Sequence, residues 1–235
     1  MCLLDILDDN ILNGVDDATV TTLNGPRVTM MIERFVGKEQ FPNFLILLRV
    51  VRRWAKKRGL YGNKLGYLGG INCNLLSAFI CQLYPHASPS KLIHRFFHLY
   101  GTKWKWPNPV KLNHIKANPP TASRQLDIWE PDPMGKRHLM PMVTPAYPAS
   151  NSSFNVSIHT REIMLEEMRL ASDIVTSIME SAVQDWSKLF EPSDFFVRYS
   201  HYLCCHIAGS GADPESTSWM GMNIAQYSYF VRNEH

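Results

Sequence analysis

The sequence predicts a mainly α-helical chain with some β structure, and three features carry that expectation. Phe44, Leu47, Leu48, Val51, Trp54 and Ala55 recur at steps of three and four, the period of a helix with one buried face. Residues 71–83 are apolar nearly all round, as a helix inside a domain would be. Val197, Tyr199, Tyr202 and Leu203, within 195–207, read instead as a strand.

Taken in order, residues 1–25 are acidic and irregular, with Asn24-Gly25 as a turn. Met30 to Val36 reads as a short helix that 37–42 breaks. The helix from Asn43 carries Arg49, Arg52, Arg53, Lys56 and Lys57 on its polar face, and Gly59 stands where a glycine ends a helix. The next helix spans 71–83, before Pro85. A third runs from Pro89, a good first-turn residue, to Tyr100. Residues 101–157 are rich in Pro and Asn with no sustained period, so they are expected to be ordered but largely non-helical. Thr160 to Val183 forms a long helix, with Ile163, Met168, Ala171, Ile174, Val175 and Ile178 on its apolar side and Glu162 in its first turn. Residues 219–231 are weakly helical, and a domain boundary is expected near 185–190.

The 235 residues suffice for one large or two modest domains, and 45% hydrophobic with 19% charged residues is an ordinary core-forming composition. A net charge of +3 is compatible with a polyanionic partner without requiring one. Five irregularly spaced cysteines and nine histidines match no zinc pattern, so buried free thiols are expected. No secretory segment opens the chain and no apolar run reaches membrane-spanning length. The expectation is a soluble intracellular protein, with the sequons at Asn151 and Asn155 unused.

The densest chemistry lies between Arg49 and Asn72. Seven cations (Arg49, Arg52, Arg53, Lys56, Lys57, Arg58 and Lys64) precede a glycine-dense loop ending in Gly69-Gly70. Cations at helical spacing, beside backbone with no side chain in the way, suit a triphosphate or a nucleic-acid backbone. Lys57 and Arg58 are read as solvated, and Gly66 as a hinge. Tyr61 has a second reading as a helix-end packing residue. Trp104, Trp106 and Trp129 are read as core residues and not as base-stacking platforms.

Ordered motifs then extend along nearly the whole chain. Leu23 to Val28 reads LNGPRV, Trp54 to Lys56 WAK, and Gly66 to Gly70 GYLGG; Cys81 to Pro85 reads CQLYP and Trp104 to Pro109 WKWPNP. His138 to Pro141 reads HLMP, Thr144 to Pro148 TPAYP, Asn151 to Ser157 NSSFNVS and Trp186 to Phe190 WSKLF. In this order and spacing the chain resembles the eukaryotic poly(A) polymerases. The resemblance implies a helical central domain at 29–186. It is flanked by the C-terminal edge of a nucleotidyltransferase domain at 1–28 and the start of an RRM-like RNA-binding domain at 187–235.

The resemblance further implies template-independent addition of AMP from ATP to RNA 3′ ends, assisted by Mg2+ or Mn2+ in the complete enzyme. RNA and ATP follow as partners, with cleavage and polyadenylation factors beyond them, and the nucleus as location, with the cytoplasm as a further one. The implied ATP-binding residues are Asn24, Arg52, Lys56, Tyr61, Asn63, Gly69, Gly70, Ile71 and Thr144. Arg52 stands where the family commonly has lysine, which puts a planar fork in place of a point charge. The family's first metal carboxylates lie upstream of anything present. Asp5 mimics the third but stands too close to Asn24 to be it. No catalytic or metal residue is therefore expected here, and the chain alone is expected to be inactive. A non-catalytic ATP- and RNA-binding scaffold is the alternative from another class, and a helical RNA-binding module of another family is a distant third.

Overall fold

A computed structural model of the chain describes residues 5–118, 125–132 and 138–193, together with Val197. Five helices build it: α1 (Asp17–Val36), α2 (Phe41–Lys57), α3 (Gly70–Leu83), α4 (Pro89–His98) and α5 (Ile158–Glu180). Helix α3 is the centre, packed against α1, α2 and α4, while α5 covers α4. Its burial at Cys73, Leu75, Leu76, Ala78, Ile80 and Cys81 is the outcome its apolar sequence predicts. Around it gather Leu47, Val51 and Trp54 of α2, Leu92, Phe96 and Phe97 of α4, and Met164, Met168 and Val175 of α5. Trp54 meets Phe97 edge to face at 4.9 Å between ring centroids.

The start of the chain corrects the sequence reading. Residues 17–25 are not irregular and Asn24-Gly25 is not a turn, because α1 runs unbroken through both and through Pro26. Proline inside a helix removes a backbone bond and costs about 3 kcal/mol, so tertiary structure must supply more. Asp16 caps the helix by accepting from the Thr19 backbone N–H at 2.6 Å. Val20, Val28 and Ile32 are buried along it. Arg27, 1% exposed, donates to the Tyr147 and Ile6 carbonyls and pairs with Asp9.

Elsewhere boundaries move by a turn or less. Gly37 (φ 79°) ends α1, and Pro42 falls in the first turn of α2. Gly59 takes φ 72° just past the α2 cap, as its place in the sequence predicts, and Gly66 is left-handed at φ 78°. Helix α4 stops at His98 and continues as a π-helical turn over Leu99–Lys103. This turn lies so close to α5 that a Cβ on Gly101 would sit 2.8 Å from the Met168 carbonyl carbon. It buries Tyr100, whose hydroxyl donates to the Leu76 carbonyl at 3.0 Å.

Residues 104–157 are non-helical wherever they are described, as expected. No β-strand occurs among the described residues; β structure is limited to isolated bridges joining Tyr61 to Leu68, Val110 to Met142 and Val143 to Asn151. The expected strand at 195–207 and helix at 219–231 lie outside the described residues, apart from the single residue Val197. Trp129 is buried, and Trp104 and Trp106 pack half-buried with Phe79 and Tyr100, which fits their reading as core. Trp186–Phe190 forms a short 3-10 turn that sends Leu189 into the main core.

Candidate nucleotide site at the start of α3

The last turns of α2 place Arg52 and Lys56 four residues apart, hence on one face. After Gly59 the chain folds back: Leu68 N–H donates to the Leu60 carbonyl at 3.1 Å and Gly62 N–H to the Leu68 carbonyl at 2.9 Å. That reversal lays Tyr61 across the two cations. The Lys56 Nζ stands 5.1 Å from the Tyr61 ring centroid, and the Arg52 guanidinium carbon 5.9 Å. Arg52 Nη2 also donates to the Tyr61 hydroxyl at 3.3 Å. A Cβ on Gly70 would lie 3.4 Å from that same hydroxyl, so the cation–tyrosine group sits directly over the first turn of α3. Cations and the N-terminal end of a helix dipole act together there on any anion.

A cleft of about 450 Å³ is lined by Ile71 of that first turn together with Thr21, Asn24, Asn74, Thr144 and Ser152 among others. Gly70 touches one half and Ile71 walls the other. The structure thus gathers Arg52, Lys56, Tyr61 and Gly70 over the start of α3 and Asn24, Ile71 and Thr144 around the adjoining cleft.

Asn63 and Gly69 have structural work within the protein. Asn63 Nδ2 donates to the Ser152 carbonyl (2.8 Å) and to Asn72 Oδ1 (3.3 Å), and its Oδ1 accepts from Asn155 Nδ2 (3.1 Å). Gly69 caps α3, its N–H donating to Asn72 Oδ1 at 2.7 Å. Asn72 Nδ2 in turn donates to Ser152 Oγ at 2.9 Å. This amide network pins the 61–69 loop to residues 152–155 and fixes how α3 begins. Sequence reasoning did not assign these bonds, although Ser152 and Asn155 of the NSSFNVS motif carried the signal.

Arg58, read as solvated, is corrected by the structure. It lies 12% exposed in a two-bond pair with Glu167, itself 5% exposed. Burial also holds the thiols of Cys73 and Cys81 up at about 12, so both are protonated free thiols.

A sequence model of the poly(A) polymerase central domain matches residues 43–192. The chain belongs to that family. Among relatives of the poly(A) polymerase family, nuclear poly(A) polymerase 1 of Arabidopsis thaliana is 45% identical over 220 residues, covering 93% of this chain and 30% of the relative. Poly(A) polymerase of Dictyostelium discoideum is 40% identical over 233 residues, 98% of this chain and 27% of the relative. The chain therefore spans under a third of the length of these poly(A) polymerases. The solved structure of Cid1 in complex with its short product ApU is alike in fold, with a TM-score of 0.50 at 15% identity over 76% of this chain and 62% of that one.

Proposed function

We propose that this chain forms the nucleotide-holding part of a template-independent polynucleotide adenylyltransferase, which adds AMP from ATP to RNA 3′ ends in mRNA polyadenylation. The observation that carries the reading is the convergence of Arg52, Lys56 and Tyr61 over Gly70, with Ile71, the next residue, lining the cleft of Asn24 and Thr144. Arg52 and Lys56 neutralise the triphosphate, and Tyr61 hands a hydroxyl to it. Gly70 lets backbone approach the phosphates, and Gly69 contributes by capping α3 behind it. Asn24, Ile71 and Thr144 take the nucleoside, and Asn63 holds the loop that positions Tyr61. Charge placed so beside the pyrophosphate stabilises it as the RNA 3′-hydroxyl attacks the α-phosphate in line.

A divalent ion does not fit the described residues. Among the described residues no group of three His, Cys, Asp or Glu side chains could hold one, and Asp9 is spent on Arg27 and Lys116. Mg2+ or Mn2+ belongs, in this proposal, to the complete family enzyme, and the chain by itself does not catalyse. The same observation favours a second reading, a non-catalytic ATP- and RNA-binding scaffold.

The proposal keeps residues 1–28 as the edge of a nucleotidyltransferase domain and 187–235 as the start of an RRM-like domain, around a helical domain at 29–186. Nuclear residence and contact with cleavage and polyadenylation factors belong to the same reading, with the cytoplasm as a further location. No described helix is long and apolar enough to cross a membrane.

Titration of the chain with ATP, followed by NMR, tests the site. The expected dissociation constant is roughly millimolar, about 4 kcal/mol, weakening with salt. Lys56→Ala should weaken it more than Lys57→Ala, which points about 100° further round α2. Equal losses from the two variants would leave a diffuse basic face and no site.

A further inference from the structure

A groove of about 850 Å³ lies between residues 104–106 and the first half of α5, and it shares no residue with the nucleotide site. Its α5 residues, 161, 162, 165, 166 and 169, recur at steps of three and four, so one helix face forms one wall. Three cations, Lys105, Arg161 and Arg169, line it against two carboxylates, Glu162 and Glu166. Two N–H donors of the lining have no acceptor among the described residues: Nε1 of Trp106 and Nε of Arg161, both shut off from solvent. A buried donor left unpaired is destabilising. The Arg161 guanidinium stands 4.0 Å from Glu162, whose side chain is 63% exposed, a loose surface pair. The other donors of the lining are better placed. Trp104 Nε1 donates to the Asn108 carbonyl at 3.0 Å, and Arg169 Nε to the Gly101 carbonyl at 3.3 Å. One turn before Arg161, Ile158 continues the same face of α5 at 54% exposure, so the groove opens onto an apolar end.

We propose that this groove docks a short acidic peptide segment of a partner protein. An Asp or Glu carboxylate of the segment meets Arg161 and the Trp106 N–H, and a neighbouring aliphatic side chain lies on Leu165 and Ile158. The three cations outnumber the two carboxylates, which draws an anionic segment in. One carboxylate has acceptor sites for a guanidinium and a second donor at once. Both orphan donors sit under the groove surface, so the side chains around them part as the carboxylate enters. Tryptophan and arginine at the centre of a groove are also the residues that carry most interface energy. A nucleic-acid strand suits this lining less well. It brings a negative charge at every nucleotide past Glu162 and Glu166, and it needs open aromatic faces for its bases. The Trp104 and Trp106 rings already pack with Phe79, Tyr100 and each other.

The isotope-labelled full chain is titrated by NMR with capped peptides of about eight residues that alternate Asp or Glu with Leu and Pro. Twins in which every carboxylate is an amide serve as the comparison. The Trp106 indole N–H signal, identified by its absence in Trp106→Phe, is the reporter. The acidic peptides should bind at roughly 0.1 mM and shift that signal, and the amide twins should bind about tenfold more weakly. Arg161→Ala, and separately the exposed Lys105→Glu, should each weaken the acidic peptides about tenfold, the size of one charged contact. Lys57→Ala on α2 should leave them unchanged, and Arg161→Ala should leave ATP titration unchanged. A thermal melt checks that each variant is folded; should Arg161→Ala not fold, Lys105→Glu decides alone. Equal binding of acidic peptides and amide twins overturns the proposal, as does no binding of either. Equal losses from Lys57→Ala and from the groove variants do the same. A Trp106 shift caused by a short oligo(A) and not by the acidic peptides would give the groove to RNA and overturn the proposal too.

Discussion

Arg58 grips Glu167 across 109 residues of sequence with two hydrogen bonds, Nε to Oε2 at 2.7 Å and Nη2 to Oε1 at 3.1 Å. The same guanidinium donates to the Pro192 carbonyl at 3.0 Å, and Ser193 N–H donates to the Lys57 carbonyl at 3.1 Å. One side chain thus ties the end of α2, the middle of α5 and the segment after Leu189. Removing one partner of a buried pair leaves the other uncompensated. Arg58→Ala should cost about 3 kcal/mol in a urea melt, while exposed Lys57→Ala should change stability by under about 0.5 kcal/mol. Similar losses from the two would mean the pair is idle. Limited proteolysis should also cut near Pro192 sooner in Arg58→Ala.

Catalysis is expected to be absent from the chain alone. Purified protein with labelled ATP and an RNA primer should give no time-dependent extension with either Mg2+ or Mn2+. Incorporation that Lys56→Ala abolishes would overturn that expectation.

Gly101 should not tolerate a side chain. A Cβ there meets α5 backbone at 2.8–2.9 Å on three atoms, none of which is the free end of a side chain. Gly101→Ala should destabilise by about 1–3 kcal/mol through overpacking. A neutral result would show that α4 and α5 slide apart easily.

Cys73 and Cys81, with thiols held up at about 12 by burial, should resist alkylation of the native protein at pH 8. Peptide mapping by mass spectrometry should find both unmodified until denaturant is added. Labelling of Cys73 in native buffer would mean that α3 opens locally.

His94 gives a pH signature. Burial first, then the neighbouring His98 and Arg95, lower its pKa below 6.5, partly countered by Glu180. Its neutral ring shares a 3.2 Å hydrogen bond with Thr176 Oγ1, joining α4 to α5. A lowered folded pKa means that the unfolded chain binds more protons just below pH 6.5, so His94 stabilises less as pH falls through that window. The melting-temperature gap between wild type and His94→Gln should therefore shrink from pH 7.5 to pH 5.5. A gap that widens would contradict the sign.

The sequence carried the helices whose signals are local. Apolar period marked α2 and α5, all-round apolarity marked α3, and Gly59 marked where α2 stops. It also grouped Arg52, Lys56 and Tyr61, because helical spacing plus a short reversal fixes their neighbourhood. What escaped it was decided by partners far along the chain. Asn24-Gly25-Pro26 has the local chemistry of a turn, and only the bonds of buried Arg27 to residues 6, 9 and 147 make it helix. Arg58 looks like any surface cation until Glu167, one hundred and nine residues on, covers it. The bonds of Asn63 to Ser152 and Asn155 were invisible for the same reason.

The amide network sets a schedule for the site as the chain is synthesised. Asn63 is bonded to residues 89 and 92 positions later, Ser152 and Asn155. Closing so long a loop is slow compared with forming α2 or α3, whose contacts are local. Every cation of the proposed site leaves the ribosome early, while the residues that hold Tyr61 above α3 emerge some ninety positions afterwards, a span set by those same two bonds. A nascent chain that ends near residue 83 carries all the charge and the local reversal, but the bonds that pin the Asn63 loop and the Thr144 and Ser152 wall of the cleft arrive only once residue 155 is free to fold back.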